Sequence, residues 1–108
     1  MINVTIYTRN DEIVGFCSEG HAGYDNSGRD LICAAVSVLV INTINSIEQF
    51  TNDQDEVEAD EDSGYIHFML KTDEPSSETS VLLKSMVLGI QNVSKGNKKY
   101  LRLRFKEV

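Results

Sequence analysis

The chain has 108 residues, 41% of them hydrophobic and 25% charged, a composition that fits one globular domain with a single core. Its formal net charge of −7 argues against a nucleic-acid-binding protein with a broad basic face. The N-terminus lacks the features of a signal peptide, and the most apolar run, residues 31–41, is shorter than a membrane span, so the sequence predicts a cytoplasmic protein.

The first predicted element is a β-hairpin. Apolar and polar residues alternate from Ile2 to Tyr7, which is the period of a half-buried strand. Residues 8–11 are turn formers, and residues 13–18 form a second extended, β-rich run. This second strand leads directly into a glycine-rich segment that begins at Gly20.

A long central helix is predicted to follow. Asp30 is a suitable N-cap or first-turn residue, and nothing from Leu31 to Gln49 breaks a helix. The first half of this helix is apolar on nearly all sides, and only its second half shows a polar face. Cys33 is expected about three residues into the helix, at its buried end.

The second half of the chain is predicted to contain a hairpin, a helix and a strand. The hairpin strands are 56–60 and 65–70, and residues 73–77 then cap a helix that ends at 95–97. Apolar residues at helical spacing form a stripe on that helix: Val81, Leu82, Met86, Ile90 and Val93. The closing strand has an apolar face of Leu101, Leu103 and Phe105 and an opposite face of Tyr100, Arg102 and Arg104.

The element order is therefore ββαββαβ, in a single domain that spans residues 1–108. Helices that alternate with hairpins predict an α+β fold, in which two helices pack on one mixed sheet. Because the helices carry most of the apolar residues, both are expected to cover the same face of the sheet.

Charged residues are unevenly distributed. Eight of the seventeen acidic residues lie between Glu48 and Asp62, and six of the ten basic residues lie between Lys95 and Lys106. An acidic surface raises the encounter rate with a basic partner. A solvated acidic segment that keeps the protein soluble is the simpler interpretation.

His21 and Cys33 are the candidate base and nucleophile. The thiolate is the reactive form of cysteine, and the amide groups at a helix start favour that anion. A histidine within hydrogen-bond reach would accept the thiol proton and return it to a leaving amine. Gly20 and Gly23 allow a tight turn around His21, and backbone amides near Gly28 are candidates for binding an oxyanion.

Two polar residues share a helix face with Cys33 and are candidate supporting groups. Asp30 lies at i−3 and Ser37 at i+4 from Cys33. Asp30 would orient His21 or only cap the helix. Ser37 would donate to the substrate or to the thiolate, or would only pack and bond back to its own helix. Considered without further knowledge, Cys33 itself is more often an inert buried thiol.

The other cysteine and histidine are interpreted as structural. Cys17 lies on a predicted strand and is assigned to the core, and His67 lies on a strand face with Tyr65 and Met69. Both could join His21 and Cys33 around a metal, but the spacings match no known ligand pattern. No metal or other cofactor is therefore expected.

The segment Gly20-His21-Ala22-Gly23-Tyr24, followed by Gly28-Arg29-Asp30-Leu31-Ile32-Cys33-Ala34-Ala35-Val36-Ser37, resembles the signature of the ribosomal-processing cysteine protease family, Prp. The resemblance extends over the whole chain in length and element order. His21 and Cys33 stand twelve positions apart, as in that family.

The resemblance implies an endopeptidase that removes the short N-terminal extension of one large-subunit ribosomal protein, cleaving after an aromatic residue. It implies a catalytic dyad of His21 and Cys33, a hydrophobic cleft near Cys33, and a homodimer. It also implies a loop that is mobile until substrate binds. We assign that gating loop to residues 22–29, with Gly23, Tyr24 and Gly28 as its main residues. No partner among nucleic acids or membranes is expected.

Two alternatives from other classes remain open at this point. One is a redox or ligand-binding thiol domain in which Cys33 is modified. The other is a non-enzymatic ribosome-associated adaptor that holds a basic ribosomal protein through the acidic segment at 48–62. Cleavage of an extended peptide separates the first interpretation from both.

Overall fold

The computed structural model describes the backbone of residues 1–20 and 27–108, and the side chains of residues 1–20 and 31–108. The elements follow the predicted order: β1 (Ile2–Arg9), β2 (Glu12–Glu19), α1 (Ser27–Phe50), β3 (Asp55–Asp60), β4 (Tyr65–Leu70), α2 (Ser77–Ser94) and β5 (Leu101–Glu107). The strands form one five-stranded sheet in the order β3-β4-β2-β1-β5. β5 runs parallel to β1 and the other neighbours are antiparallel, so the predicted mixed sheet is confirmed.

The β1–β2 hairpin turns later than expected. β1 continues two residues into the predicted turn, to Arg9, and β2 begins one residue earlier than predicted, at Glu12, so the connection is reduced to Asn10 and Asp11. These two residues have φ angles of 53° and 65°, the left-handed conformation that a two-residue turn between twisted strands requires. Asn and Asp adopt it more readily than other non-glycine residues.

Both helices cover the same face of the sheet, as predicted. Alternate residues of β1 and β2, among them Val4, Ile6 and Phe16, are fully buried on this face. They pack in one core with residues of the two helices, among them Val40 of α1 and Leu83 of α2. We call this side the helix-covered face and the other side the open face.

The start of α1 corrects the sequence prediction. The helix begins at Ser27, three residues before Asp30, so Asp30 is a first-turn residue, the second of the two predicted alternatives, and not the N-cap. Gly28, which we assigned to the gating loop, has helical backbone. Ser27 is also a residue type that helix starts favour, and a glycine inside a helix costs only about 1 kcal/mol relative to alanine.

The apolar length of α1 was also underestimated. Its 20-residue segment Leu31–Phe50 contains a window with a mean hydropathy of 1.8, which satisfies the length and composition of a membrane span. Core helices satisfy the same criterion, and one side of α1 belongs to the core through Ile32, Val36, Val40, Ile44 and Ile47. Leu31 and Val38 remain exposed on the opposite side, and the partly exposed Ile41 lies between these two sides.

α2 is held at its N-terminus by a chain of hydrogen bonds. The Ser76 hydroxyl caps the helix by accepting from the Thr79 amide at 3.2 Å, and the same hydroxyl donates to Asp53 Oδ2 at 2.8 Å. The buried stripe contains Leu83, Met86 and Ile90. Val81, which we placed in that stripe, is 63% exposed.

Candidate active site

A cleft of about 420 Å³ lies between α1 and the β3–β4 hairpin. One wall consists of α1 side chains from Cys33 to Asn45, and the other consists of hairpin residues that include Val57, Ala59 and Tyr65. At 1.5 Å per helical residue, the α1 wall is about 18 Å long. This length accommodates about five residues of an extended peptide.

Cys33 borders this cleft as a half-buried free thiol. Ser37, one helical turn later, lines the same cleft and so does Ser18 from β2. The apolar side chains Val36 and Val40 extend the lining beyond them. The hydrophobic cleft that we expected near Cys33 is therefore present, with hydroxyl groups beside the thiol.

The position of Cys33 along α1 differs from the prediction. Because the helix begins at Ser27, Cys33 is its seventh residue rather than its third. The influence of a helix terminus falls off within the first turn. Cys33 therefore lies beyond the first turn, whereas the sequence had predicted it to be close to the helix start.

Gly20 ends β2 at the border of the same cleft. Its φ angle is +106°, and a Cβ atom there would lie 2.3 Å from the Met1 carbonyl oxygen. Only glycine fits this conformation and this contact. The glycine beside His21 is therefore required by the fold, and it brings the end of β2 to the cleft that Cys33 lines.

The remaining predicted site residues lie outside what the structure describes. His21, Gly23 and Tyr24 are outside the described residues, and the side chain of Asp30 lies outside the described side chains. Their assigned roles stay predictions. The helical backbone at Gly28 contradicts only its assignment to a loop.

Cys17 is buried, as predicted, but on the open face. It is paired with Thr5 on β1 and with His67 on β4. The rings of Tyr7 and His67 lie 5.7 Å apart, and burial, followed by the charge of Glu19, raises the pKa of the Cys17 thiol. The sheet separates Cys17 and His67 from Cys33, so these residues cannot share one ion.

The sequence did not predict that residues of the β3–β4 hairpin form one wall of the cleft. Val57 and Ala59 alternate with Glu56, Glu58 and Asp60 along β3, which signals an amphipathic strand. That signal locates the strand but not its neighbours. Its place beside α1 follows from the strand order, in which β3 is an edge strand.

A thiol at the border of a peptide-sized apolar cleft, on a mixed sheet with two helices, defines a candidate cysteine hydrolase. The model of the family described as cysteine protease Prp matches residues 1–102. The ribosomal processing cysteine proteases Prp of Staphylococcus aureus and Bacillus subtilis are 28% and 27% identical to this chain. The alignments cover 98% and 95% of this chain and 100% and 96% of those relatives.

Solved structures show the same fold. The crystal structure of SMU.848 from Streptococcus mutans superposes with a TM-score of 0.88 at 25% identity, covering 100% of this chain and 96% of that one. The S. aureus Prp structure in complex with a substrate peptide gives 0.89 at 23% identity, covering 98% and 100%. The chain belongs to the cysteine protease Prp family. It is a cysteine peptidase, which confirms the peptidase interpretation over the adaptor and thiol-domain alternatives.

Proposed function

We propose that this peptidase removes the short N-terminal extension of a large-subunit ribosomal protein, cleaving after an aromatic residue. The observation that carries the proposal is the half-buried Cys33 thiol at the border of an apolar cleft that accommodates an extended peptide. Two relatives that align over nearly the whole chain are named ribosomal processing proteases, which supports the same substrate class.

In the proposed mechanism, His21 accepts the proton of the Cys33 thiol, and the sulfur attacks the scissile carbonyl carbon. The oxyanion that forms is stabilised by backbone amides near the start of α1. When it collapses, the C–N bond breaks, and the imidazolium gives its proton to the leaving amine. His21 then deprotonates a water that hydrolyses the thioester and restores the thiol.

The supporting groups have roles that follow from this scheme. Ser37 lines the cleft one turn from Cys33, where its hydroxyl can donate to the substrate backbone. Asp30 orients His21 or contributes only to the first turn of α1. Residues 22–26, with Gly23 and Tyr24, close over bound substrate, and hydrogen exchange there should slow when a peptide binds. Equal protection in the free and bound states would contradict this gating.

The proposal also covers the setting of the reaction. The enzyme works in the cytoplasm as a homodimer, and its partner is the extension of the ribosomal protein rather than a nucleic acid or a membrane. Hydrolysis through a thioester needs no metal or organic cofactor.

A cleavage assay tests the proposal, with the substrate peptide of the S. aureus complex as the probe. Wild-type protein should cut it once, after an aromatic residue. Cys33→Ala and Cys33→Ser should abolish cleavage with the fold intact, because a serine hydroxyl is far less acidic than a thiol. Cys17→Ala is the matched control and should retain cleavage. Cleavage by Cys33→Ala at the wild-type rate would contradict the assignment of the nucleophile.

A further inference from the structure

The outer edge of β3 carries backbone groups that face away from the sheet. The Lys71 amide donates to the Gln54 carbonyl at 2.9 Å, which marks Gln54 and Lys71 as a hydrogen-bonded antiparallel pair. Such pairs recur at every second residue, so Glu56 and Glu58 also bond to β4. The amide and carbonyl groups of Val57 and Ala59, which lie between them, therefore point to the outer edge.

These same two residues line the cleft. Val57 and Ala59 pair with Phe68 and Ile66, so their side chains lie on the helix-covered face, where they form part of the cleft wall. Val57 is 41% exposed, although it is a large apolar residue. In the part of the chain that the structure describes, no backbone group outside β4 hydrogen-bonds to either residue.

The residues between them form an acidic row on the open face. Glu56 and Glu58 alternate with the cleft-lining Val57 and Ala59, and Asp60 continues the row at the end of β3, where it also borders the cleft. All three acidic side chains are exposed. The Lys71 Nζ atom lies 3.8 Å from Glu56 Oε1. The Asp60 carboxylate accepts a hydrogen bond from the Asp62 amide. Along Val57 and Ala59 the edge therefore presents apolar side chains on the helix-covered face and negative charge on the open face, and Asp60 and Glu61 add carboxylates at one end of the cleft.

We propose that the substrate binds as an additional strand on the edge of β3, an inference that rests on the proposed function. The peptide backbone exchanges hydrogen bonds with Val57 and Ala59, which is the strand-addition mode of peptide recognition. Because side chains alternate along a strand, every second substrate residue enters the apolar cleft beside Cys33. The residues between them lie next to Glu56, Glu58 and Asp60. The preferred substrate is therefore an extended segment in which apolar residues alternate with basic ones.

Hydrogen exchange on Cys33→Ala tests the backbone contacts, with the substrate peptide of the S. aureus complex as the probe. Binding should slow exchange of the Val57 and Ala59 amides about tenfold or more, because each gains a hydrogen-bond acceptor. The Glu58 amide, which already bonds to β4, is the internal control and should change little. A bound peptide that leaves the Val57 and Ala59 amides unchanged would overturn strand addition.

A scan of the same peptide with single N-methyl groups provides a test that leaves the protein unaltered. Methylation should weaken binding about tenfold at every second residue, where the amide faces β3, and much less at the residues between. An effect without this period of two would contradict the proposal. If wild-type protein does not cleave the unmodified peptide and Cys33→Ala does not bind it, the proposed function fails and strand addition fails with it. If the unmodified peptide is cleaved but the effect of N-methylation on binding does not recur at every second residue, strand addition alone is overturned.

A charge exchange tests the acidic row. Glu58→Lys should lower affinity for peptides with lysine at the facing residue and raise it for peptides with glutamate there, by about twofold to fivefold each. Glu107→Lys makes the same change at the opposite edge of the sheet, on β5, and serves as the matched control. If Glu58→Lys and Glu107→Lys show the same preference between the lysine and glutamate peptides, the acidic row does not contact the substrate and only discourages aggregation of an edge strand.

Discussion

The two faces of the sheet differ in what covers them and in how much they contribute to the core. On the helix-covered face, alternate residues of β1, β2 and β4 are buried against two helices, and this side supplies the core. On the open face, Tyr7, Cys17 and His67 form a partly buried polar and aromatic layer that no described helix covers. Stability is therefore concentrated on one side of the sheet.

The two cysteines illustrate this difference. Cys17 is buried within the open-face layer, where burial raises the pKa of its thiol and keeps it neutral at pH 7. Cys33 is half-buried beside the cleft, where a peptide can reach it. Burial among aromatic side chains gives an unreactive thiol, and access from a cleft is what a nucleophile needs.

The largest expected effect is the difference in stability between truncating a core side chain on the helix-covered face and truncating a side chain on the open face. Phe16 is fully buried and stacks on Phe68 with ring centroids 5.1 Å apart. Phe16→Ala should lower the free energy of unfolding by about 3–5 kcal/mol. Thr5→Ala, on the open face of the neighbouring strand, should cost at most about 1 kcal/mol. Urea denaturation measures both, and similar losses would contradict the comparison.

The next effect concerns the hydrogen bonds that hold the N-terminus of α2, one of the two helices that cover the sheet. Burial raises the pKa of Asp53, but hydrogen bonds from Thr79 and from the backbone and side chain of Ser76 outweigh it and lower the pKa. Asp53→Ala should therefore cost about 1–2 kcal/mol at pH 7. A lowered pKa means that this stabilisation is present above the unfolded-state pKa and is lost as pH falls through the folded-state pKa. Thermal unfolding at pH 7 and pH 2.5 should show the variant and the wild type converging at the lower pH.

A smaller effect is expected from Cys17 on the open face. Cys17→Ala removes a buried sulfur and its hydrogen bonds with Tyr7 and Tyr65, which should cost about 1 kcal/mol. In the wild type, an alkylating reagent at pH 7 should modify Cys33 first, as peptide mapping by mass spectrometry would show. Modification of Cys17 at an equal rate would show that the open-face layer does not shield it.

Local sequence patterns predicted the elements but not their neighbours. The turn residues at 62–64 located the second hairpin, and the strand Tyr65–Leu70 was predicted with correct ends, since a turn signal is local to the sequence. The start of α1 was missed because Ser27 and Asp30 are both acceptable near a helix start, and the choice depends on packing. The place of β3 at the sheet edge depends on strand order, which residues distant in the sequence determine.

The candidate site was predicted unevenly for the same reason. Cys33 and Ser37 are one turn apart on a helix, so their common face follows from helical spacing. The cleft opposite them needs Val57 and Ala59, which are more than twenty residues away and have no local pattern that relates them to Cys33. His21 was a candidate base on its residue type and its place in a glycine-rich segment before the helix of Cys33, and the family resemblance adds the assignment of the pair as a dyad.

The smallest expected effect lies at the boundary of the helix-covered face, where α1 meets the start of β3. Burial, a hydrogen bond with Glu48 and the charge of Glu48 raise the pKa of Asp55 to about 6, and Lys71 opposes them. Because the folded-state pKa lies above the unfolded value of 3.8, the stabilisation is full below the unfolded value and is lost as pH rises through about 6.

Asp55→Asn keeps a hydrogen-bonding group without the charge. After allowance for solvent screening, it should be about 1 kcal/mol more stable than wild type at pH 7.5 and equal to it at pH 4. Glu107→Gln, an exposed change at the opposite edge, is the control and should show no such pH dependence. A constant difference between Asp55→Asn and wild type from pH 4 to 7.5 would show that the two carboxyl groups do not interact.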